Sequence, residues 1–129
     1  MVILYADDDE DDREIFVEIL KNIDEGIRLV QAEDGFHTLT ILDSIDLPDI
    51  IFLDINMPVL NGYETLAEIR KDKRFSQVKV VMFSTAIYQK SFDKYAHLRA
   101  KFVSKPGTIK EGIEILRNVL QAEIGRALS

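Results

Sequence analysis

Residues 50–58 read Ile50-Ile51-Phe52-Leu53-Asp54-Ile55-Asn56-Met57-Pro58: four apolar residues without a break, then an acid, then a proline four positions on. A short continuous apolar run closed by turn residues is the pattern of a strand covered on both faces, and such strands belong to parallel sheets. An ionisable side chain placed directly at the end of that run needs a partner. The same pattern recurs outward from this stretch. Residues 2–6 (Val2-Ile3-Leu4-Tyr5-Ala6) and 78–83 are nearly continuous in apolar residues, and 27–30 and 101–103 make two weaker runs.

Between the runs the apolar period changes to that of a helix. Ile15, Phe16, Ile19, Leu20 and Ile23 share one face; Tyr63, Leu66, Ala67 and Ile69 a second; Ile109, Ile113, Leu116, Leu120 and Ile124 a third. Asn61 and Thr108 precede Glu64 and Glu111 by three residues, the spacing of a capping box. Pro48 closes the second helical segment, and Pro58 with Gly62 marks the loop after the third strand. Tyr88, Phe92 and Tyr95 lay a fainter helical stripe over residues 88–99. Five strands alternating with five helices predict an α/β domain, a doubly wound (βα)5 fold of flavodoxin-like type. Its five-stranded parallel sheet has the order 2-1-3-4-5 and takes up residues 1–129 as one domain.

Composition narrows the function. The chain has 129 residues, 16 basic and 23 acidic, for a net charge of −7. Six of the acids form one run, Asp7-Asp8-Asp9-Glu10-Asp11-Asp12, and the remaining 17 nearly balance the basic residues. An acidic domain without a basic stripe is ill suited to direct nucleic-acid binding, which rests on Lys and Arg displacing counterions. The absence of cysteine excludes disulfides, thiolate metal sites and a cysteine nucleophile. The longest apolar stretch, residues 1–6, is far shorter than the roughly 18 residues of a spanning helix, and with no basic start it is not a secretory signal. A cytoplasmic protein without membrane contact is expected.

In the predicted fold, ligands bind beyond the carboxyl ends of the strands. There the sequence places Asp7 and Asp8 after strand one, Asp54 at the end of strand three, Ser84 at the end of strand four and Lys105 just past strand five. Three carboxylates held together repel unless protonated or neutralised by a cation. With no cysteine, and neither His37 nor His97 at a strand end, the donor set is all oxygen, which suits Mg²⁺. Magnesium is commonly completed by phosphate oxygens, and Lys105 with the Ser84 hydroxyl would meet a phosphoryl group on its other side. A carboxylate can itself attack phosphorus to give an aspartyl-phosphate. Asp9, Glu10, Asp11 and Asp12 read as the capped, solvated start of helix one.

These pieces, in this order and spacing, resemble the response-regulator receiver domain, CheY-like, over essentially the whole chain. The matching segments are Ile3-Leu4-Tyr5-Ala6-Asp7-Asp8, Leu53-Asp54-Ile55-Asn56-Met57-Pro58 with Gly62, Phe83-Ser84-Thr85 and Phe102-Val103-Ser104-Lys105-Pro106. The resemblance implies a stand-alone regulator of a two-component phosphorelay. Asp54 would accept a phosphoryl group from a phosphohistidine on a sensor histidine kinase or histidine phosphotransfer protein, or from a small acyl phosphate, in a Mg²⁺-dependent reaction. It further implies Asp8 as direct metal ligand, Asp7 acting through water, the backbone carbonyl of Asn56 as a further ligand, Lys105 as the phosphate-binding lysine and Ser84 as the switch hydroxyl. Phe102 is implied as the aromatic that turns inward when Ser84 is drawn to the phosphoryl group, remodelling a face that binds a downstream protein. The resemblance also implies a cis Lys105-Pro106 peptide.

Three departures from the family pattern stand out. Phe102 lacks the hydroxyl of the tyrosine common there, Thr85 is bulkier than the usual Ala or Gly, and residues 97–100 contain no glycine for the turn before strand five. Ala86, two beyond Ser84, cannot orient an attacking water, so slow autodephosphorylation is expected. The domain would thus be a phosphoacceptor that assists its own modification rather than an enzyme. Two rival readings are a receiver-like binding module that is never phosphorylated, and an aspartyl-phosphate hydrolase of haloacid-dehalogenase type. The hydrolase needs an acid two residues after its nucleophile, where this chain has Asn56.

Overall fold

The computed structural model describes residues 1–85 and 93–125. Its strands are β1 (Val2–Ala6), β2 (Arg28–Ala32), β3 (Ile50–Leu53), β4 (Lys79–Ser84) and β5 (Lys101–Ser104). All pair in parallel, in the order β2-β1-β3-β4-β5. Four α-helices lie wholly within the described residues: α1 (Glu10–Lys21), α2 (Gly35–Ser44), α3 (Gly62–Lys71) and α4 (Ile109–Ile124).

Alternation along each strand sends neighbouring side chains to opposite faces and so creates two cores. Ile3 and Tyr5 of β1 pack with Phe16, Ile19 and Leu20 of α1 and Leu116, Val119 and Leu120 of α4. Leu4 and Ala6 pack on the other face with Leu42 of α2 and Leu66 and Ile69 of α3. All four residues of β3 are buried, as the unbroken apolar run requires of a central strand covered on both sides.

The helix starts follow their caps. The Asp9 side chain accepts from Asp12 N, and Glu10, Asp11 and Asp12 fill a first turn that the helix dipole favours for acids. Asn61 and Glu64 form a complete capping box at α3. At α4 only half of one forms: the Thr108 side chain accepts from Glu111 N, while the Glu111 carboxylate takes the Gly107 N–H at 3.2 Å.

Several expectations need correction. Ile15 is 43% exposed and Ile109 41% exposed. On α1 the stripe of Phe16, Ile19, Leu20 and Ile23 already completes the buried arc, which leaves Ile15 at its margin; on α4 the buried arc is Gly112, Leu116, Val119 and Leu120. The Lys105-Pro106 peptide is trans. Trans is favoured by about 0.5–1 kcal/mol even before proline, and Lys105 N donates to Ser84 O at 2.9 Å, carrying the strand's pairing up to the proline. Of the expected helix over 88–99, residues 93–95 are helical and pass into a 3-10 turn at Ala96–Leu98. Ala86, Tyr88 and Phe92 lie outside the described residues. No described helix is long and apolar enough to cross a membrane.

The glycine-free turn before β5 is solved by Arg99, which takes the left-handed conformation (φ 57°, ψ 48°) usually left to glycine. Arg70 of α3 braces it, donating to Leu98 O (2.8 Å) and Arg99 O (3.2 Å), and also to Phe75 O and Val78 O ahead of β4.

Candidate functional site

Parallel strands of similar length bring their carboxyl ends to one edge, and the predicted residues meet there. Asp54 follows β3 directly, and its N–H continues the sheet by donating to Ala6 O at 2.9 Å. Gly62 holds the loop after it close: its N–H donates to Ile55 O at 2.8 Å, and a Cβ at this position would lie 2.3 Å from Asp54 O. Only glycine permits that approach.

Asp7 is wholly buried and fully engaged. Its Oδ2 accepts from Tyr5 OH (2.5 Å) and from Lys105 Nζ (2.6 Å), its Oδ1 from Asp9 N (3.0 Å), and its carbonyl from Arg13 Nη1 (2.7 Å). Asp8 is exposed at the rim. Asp54 is 6% exposed; its Oδ1 accepts from Ile55 N at 2.9 Å and lies 3.5 Å from Lys105 Nζ. One oxygen from each of Asp7, Asp8 and Asp54 can be chosen so that all lie within 4.8 Å of one another. The Ser84 hydroxyl is buried and forms no hydrogen bond of normal geometry.

Burial, then the charge of Asp7, pushes the Asp54 carboxyl up to about 6 against the opposing pull of Lys105, the Ser84 hydroxyl dipole and the Ile55 N–H. Burial acts on Lys105 in the other direction, but hydrogen bonds to Asp7 and Asp12 and the charge of Asp54 outweigh it, so the ammonium is held above its ordinary range. Burial first, and then Asp7, drive the Tyr5 phenol far above its usual range, so it stays a donor.

The donor set is oxygen only, three carboxylates converge, and a buried hydroxyl beside them has no well-formed hydrogen bond among the described residues. That combination fits a hard divalent cation together with a phosphoryl oxygen. Asn56 is exposed in the turn after Asp54. Phe102 is half-buried with its ring centroid 6.4 Å from Tyr63, which is stacked on Tyr95 at 4.0 Å.

Two participants escaped sequence reasoning. Tyr5 carried a signal, since the strand's period of two puts it on the same side as Asp7. Asp12 carried none. It reads as a solvated first-turn acid, yet its Oδ2 accepts from Lys105 Nζ at 2.9 Å across 93 positions of chain.

A doubly wound parallel sheet with acids and a lysine gathered at its switch point defines a class of α/β domains that bind ligands beyond the carboxyl ends of their strands. The family follows from comparison: residues 3–117 match the response regulator receiver domain, and the chain belongs to that family. The sensor histidine kinase CheAY of Helicobacter pylori is 33% identical over 87 residues, covering 67% of this chain but 11% of the kinase, so the chain spans about a tenth of that relative. Among solved structures, the phosphorylated cyanobacterial phytochrome response regulator RcpA superposes with a TM-score of 0.84 at 24% identity, over 98% of this chain and 96% of its own. The Mn²⁺-bound form of response regulator Rcp1 gives 0.81 at 24% identity, over 99% and 98%. At these identities the two structures establish the fold.

Proposed function

We propose that Asp54 is the phosphoryl acceptor of this receiver domain, and that residues 1–129 work as one such unit. The observation that carries the reading is the Asp54 carboxylate itself: buried, 3.5 Å from Lys105, and beside the buried Ser84 hydroxyl. At pH 7 it is mostly ionised and able to attack. A new Asp54 O–P bond forms as the donor's P–N bond (phosphohistidine) or P–O bond (acyl phosphate) breaks, and the leaving imidazole or carboxylate keeps the electron pair. Ile55 N–H donates to Oδ1 and the Lys105 ammonium lies 3.5 Å from it, which leaves Oδ2 to serve as the nucleophilic oxygen.

Asp8, Asp54 and the Asn56 carbonyl would hold Mg²⁺, with Asp7 acting through water because both its oxygens are already engaged by Tyr5, Lys105 and the Asp9 N–H. When bound, the ion neutralises charge on the carboxylates and the phosphoryl oxygens. Lys105 supplies a point charge to the phosphoryl group. Ser84 gains a phosphoryl oxygen as acceptor, and its movement opens space on the side where Phe102 packs against Tyr63, changing the face offered to a downstream protein. A relative that is a histidine kinase supports a phosphohistidine donor on a kinase or phosphotransfer protein.

Incubation with acetyl phosphate and Mg²⁺, read by intact mass, should give one stoichiometric hydroxylamine-sensitive adduct that Asp54→Ala abolishes. No adduct, or an adduct that survives Asp54→Ala, refutes the assignment and leaves a binding module; continuous turnover of acetyl phosphate points to the hydrolase.

A further inference from the structure

Lys105 rests more closely on Asp7 and Asp12 than on Asp54. Its ammonium donates to Asp7 Oδ2 at 2.6 Å and to Asp12 Oδ2 at 2.9 Å, whereas Asp54 Oδ1, at 3.5 Å, is a longer ion-pair contact. An ammonium has three protons to donate, and two are committed on the side of the first strand and helix. The backbone offers no slack, because Lys105 N is tied to Ser84 O. Asp12 is likewise not needed for the helix start: Asp9 is the cap, and Asp12 contributes its N–H to it, which leaves its carboxylate free for Lys105. The two acids differ in how firmly they hold. Asp7 is wholly buried, while the Asp12 side chain is 33% exposed and wet on one side.

We propose that Asp12 is a positioning residue that draws Lys105 toward α1 in the unphosphorylated domain, so that phosphoryl transfer requires Lys105 to exchange Asp12 for a phosphoryl oxygen. The proposal rests on Asp54 being the phosphoryl acceptor. A partly exposed ion pair is weak, so Asp12 acts as a bias and not a lock. Its negative charge also opposes the incoming phosphoryl group through the same lysine. Both effects slow phosphorylation, so removing Asp12 accelerates it. A residue that merely supported the site would act in the opposite direction.

The test measures the rate of aspartyl-phosphate formation with acetyl phosphate at saturating Mg²⁺ for the parent, Asp12→Asn, Asp12→Ala, Asp12→Glu and Asp11→Asn. Asp11 is an exposed neighbour, and the ion pairs of Lys105 are with Asp7, Asp12 and Asp54, so the Asp11 variant makes the same charge change without that pairing. Asp12→Asn and Asp12→Ala should react faster by about threefold, the range a weak ion pair supports. Asp12→Glu and Asp11→Asn should match the parent. In metal-free protein, reductive methylation followed by mass spectrometry should show Lys105 more reactive in Asp12→Asn, relative to the other lysines. A parent that is labelled at Asp54 while Asp12→Asn is no faster, or an Asp11→Asn that is equally fast, overturns the proposal alone. A parent that takes no label overturns the acceptor reading and this proposal with it.

Discussion

A carboxylate that attacks phosphorus must be dry enough to be reactive and charged enough to be a nucleophile, and Asp54 sits between those demands. Its folded-state titration near pH 6 lies above the ordinary carboxylate range, because burial and Asp7 disfavour the anion more than Lys105 favours it. Between the two values the folded state binds more protons than the unfolded chain. The group therefore destabilises the metal-free fold above pH 6, and that penalty disappears as pH falls through 6 toward 4. Asp54→Asn should accordingly stabilise metal-free protein at pH 7.5 by on the order of 1–2 kcal/mol and give no gain at pH 4. Urea melts at the two pH values check this, and an equal gain at both would assign the effect to something other than the buried charge. The same titration requires Mg²⁺ affinity to weaken below pH 6, measurable by calorimetry, since the ion must displace a proton from Asp54.

At the scale of elements, the loop from β3 to α3 combines firm anchors with one strained residue. Gly62 and the Asn61–Glu64 capping box fix its far end, and just ahead of them Leu60 N donates to Pro58 O at 2.8 Å, closing a three-residue turn about Val59 at φ 68°. A β-branched residue is ill suited to positive φ, and Val59 is 75% exposed, so no burial offsets the strain. Val59→Gly should raise stability by about 1 kcal/mol, read as a higher denaturation midpoint at constant slope. A lower midpoint would show that the valine is not strained there.

Arg70 works across elements instead. Its guanidinium joins the end of α3 to four carbonyls ahead of β4 and β5, and burial followed by the nearness of Arg99 lowers its titration. Lysine cannot satisfy four acceptors spread over a planar fork. Arg70→Lys should cost on the order of 2 kcal/mol and speed amide exchange in the Ala96–Leu98 turn; a stability within 0.5 kcal/mol of the parent, about the scatter of surface substitutions, would refute the brace. The capping box at Asn61 could be read from a spacing of three. The brace could not, because the carbonyls Arg70 meets belong to backbone up to 29 positions away and leave no mark in side-chain pattern.

On the scale of the molecule, what was legible was whatever the periodicities of strand and helix enforce. Unbroken apolar runs identified β1, β3 and β4, and with them the edge where Asp7, Asp8, Asp54, Ser84 and Lys105 converge. What those side chains do to one another was not legible, since Lys105 divides itself among Asp7, Asp12 and Asp54 by three-dimensional distance alone. That division makes the acids behave differently although they are neighbours in sequence. Asp7 is a structural partner of buried Tyr5 and Lys105 groups, so Asp7→Asn should destabilise metal-free protein by on the order of 3 kcal/mol. Asp8 is exposed and close to the carboxylates of Asp7 and Asp54, so Asp8→Asn should leave metal-free stability unchanged or slightly raised. With Mg²⁺ the contrast inverts. At about 100 times its dissociation constant the ion should stabilise the parent by about 2.7 kcal/mol, and Asp8→Asn should lose most of that increment. Thermal melts of the parent and the two variants, with and without Mg²⁺, separate the roles. A parent insensitive to Mg²⁺, or an Asp8→Asn variant that keeps the full increment, would mean that the acidic run serves the start of α1 and not a cation.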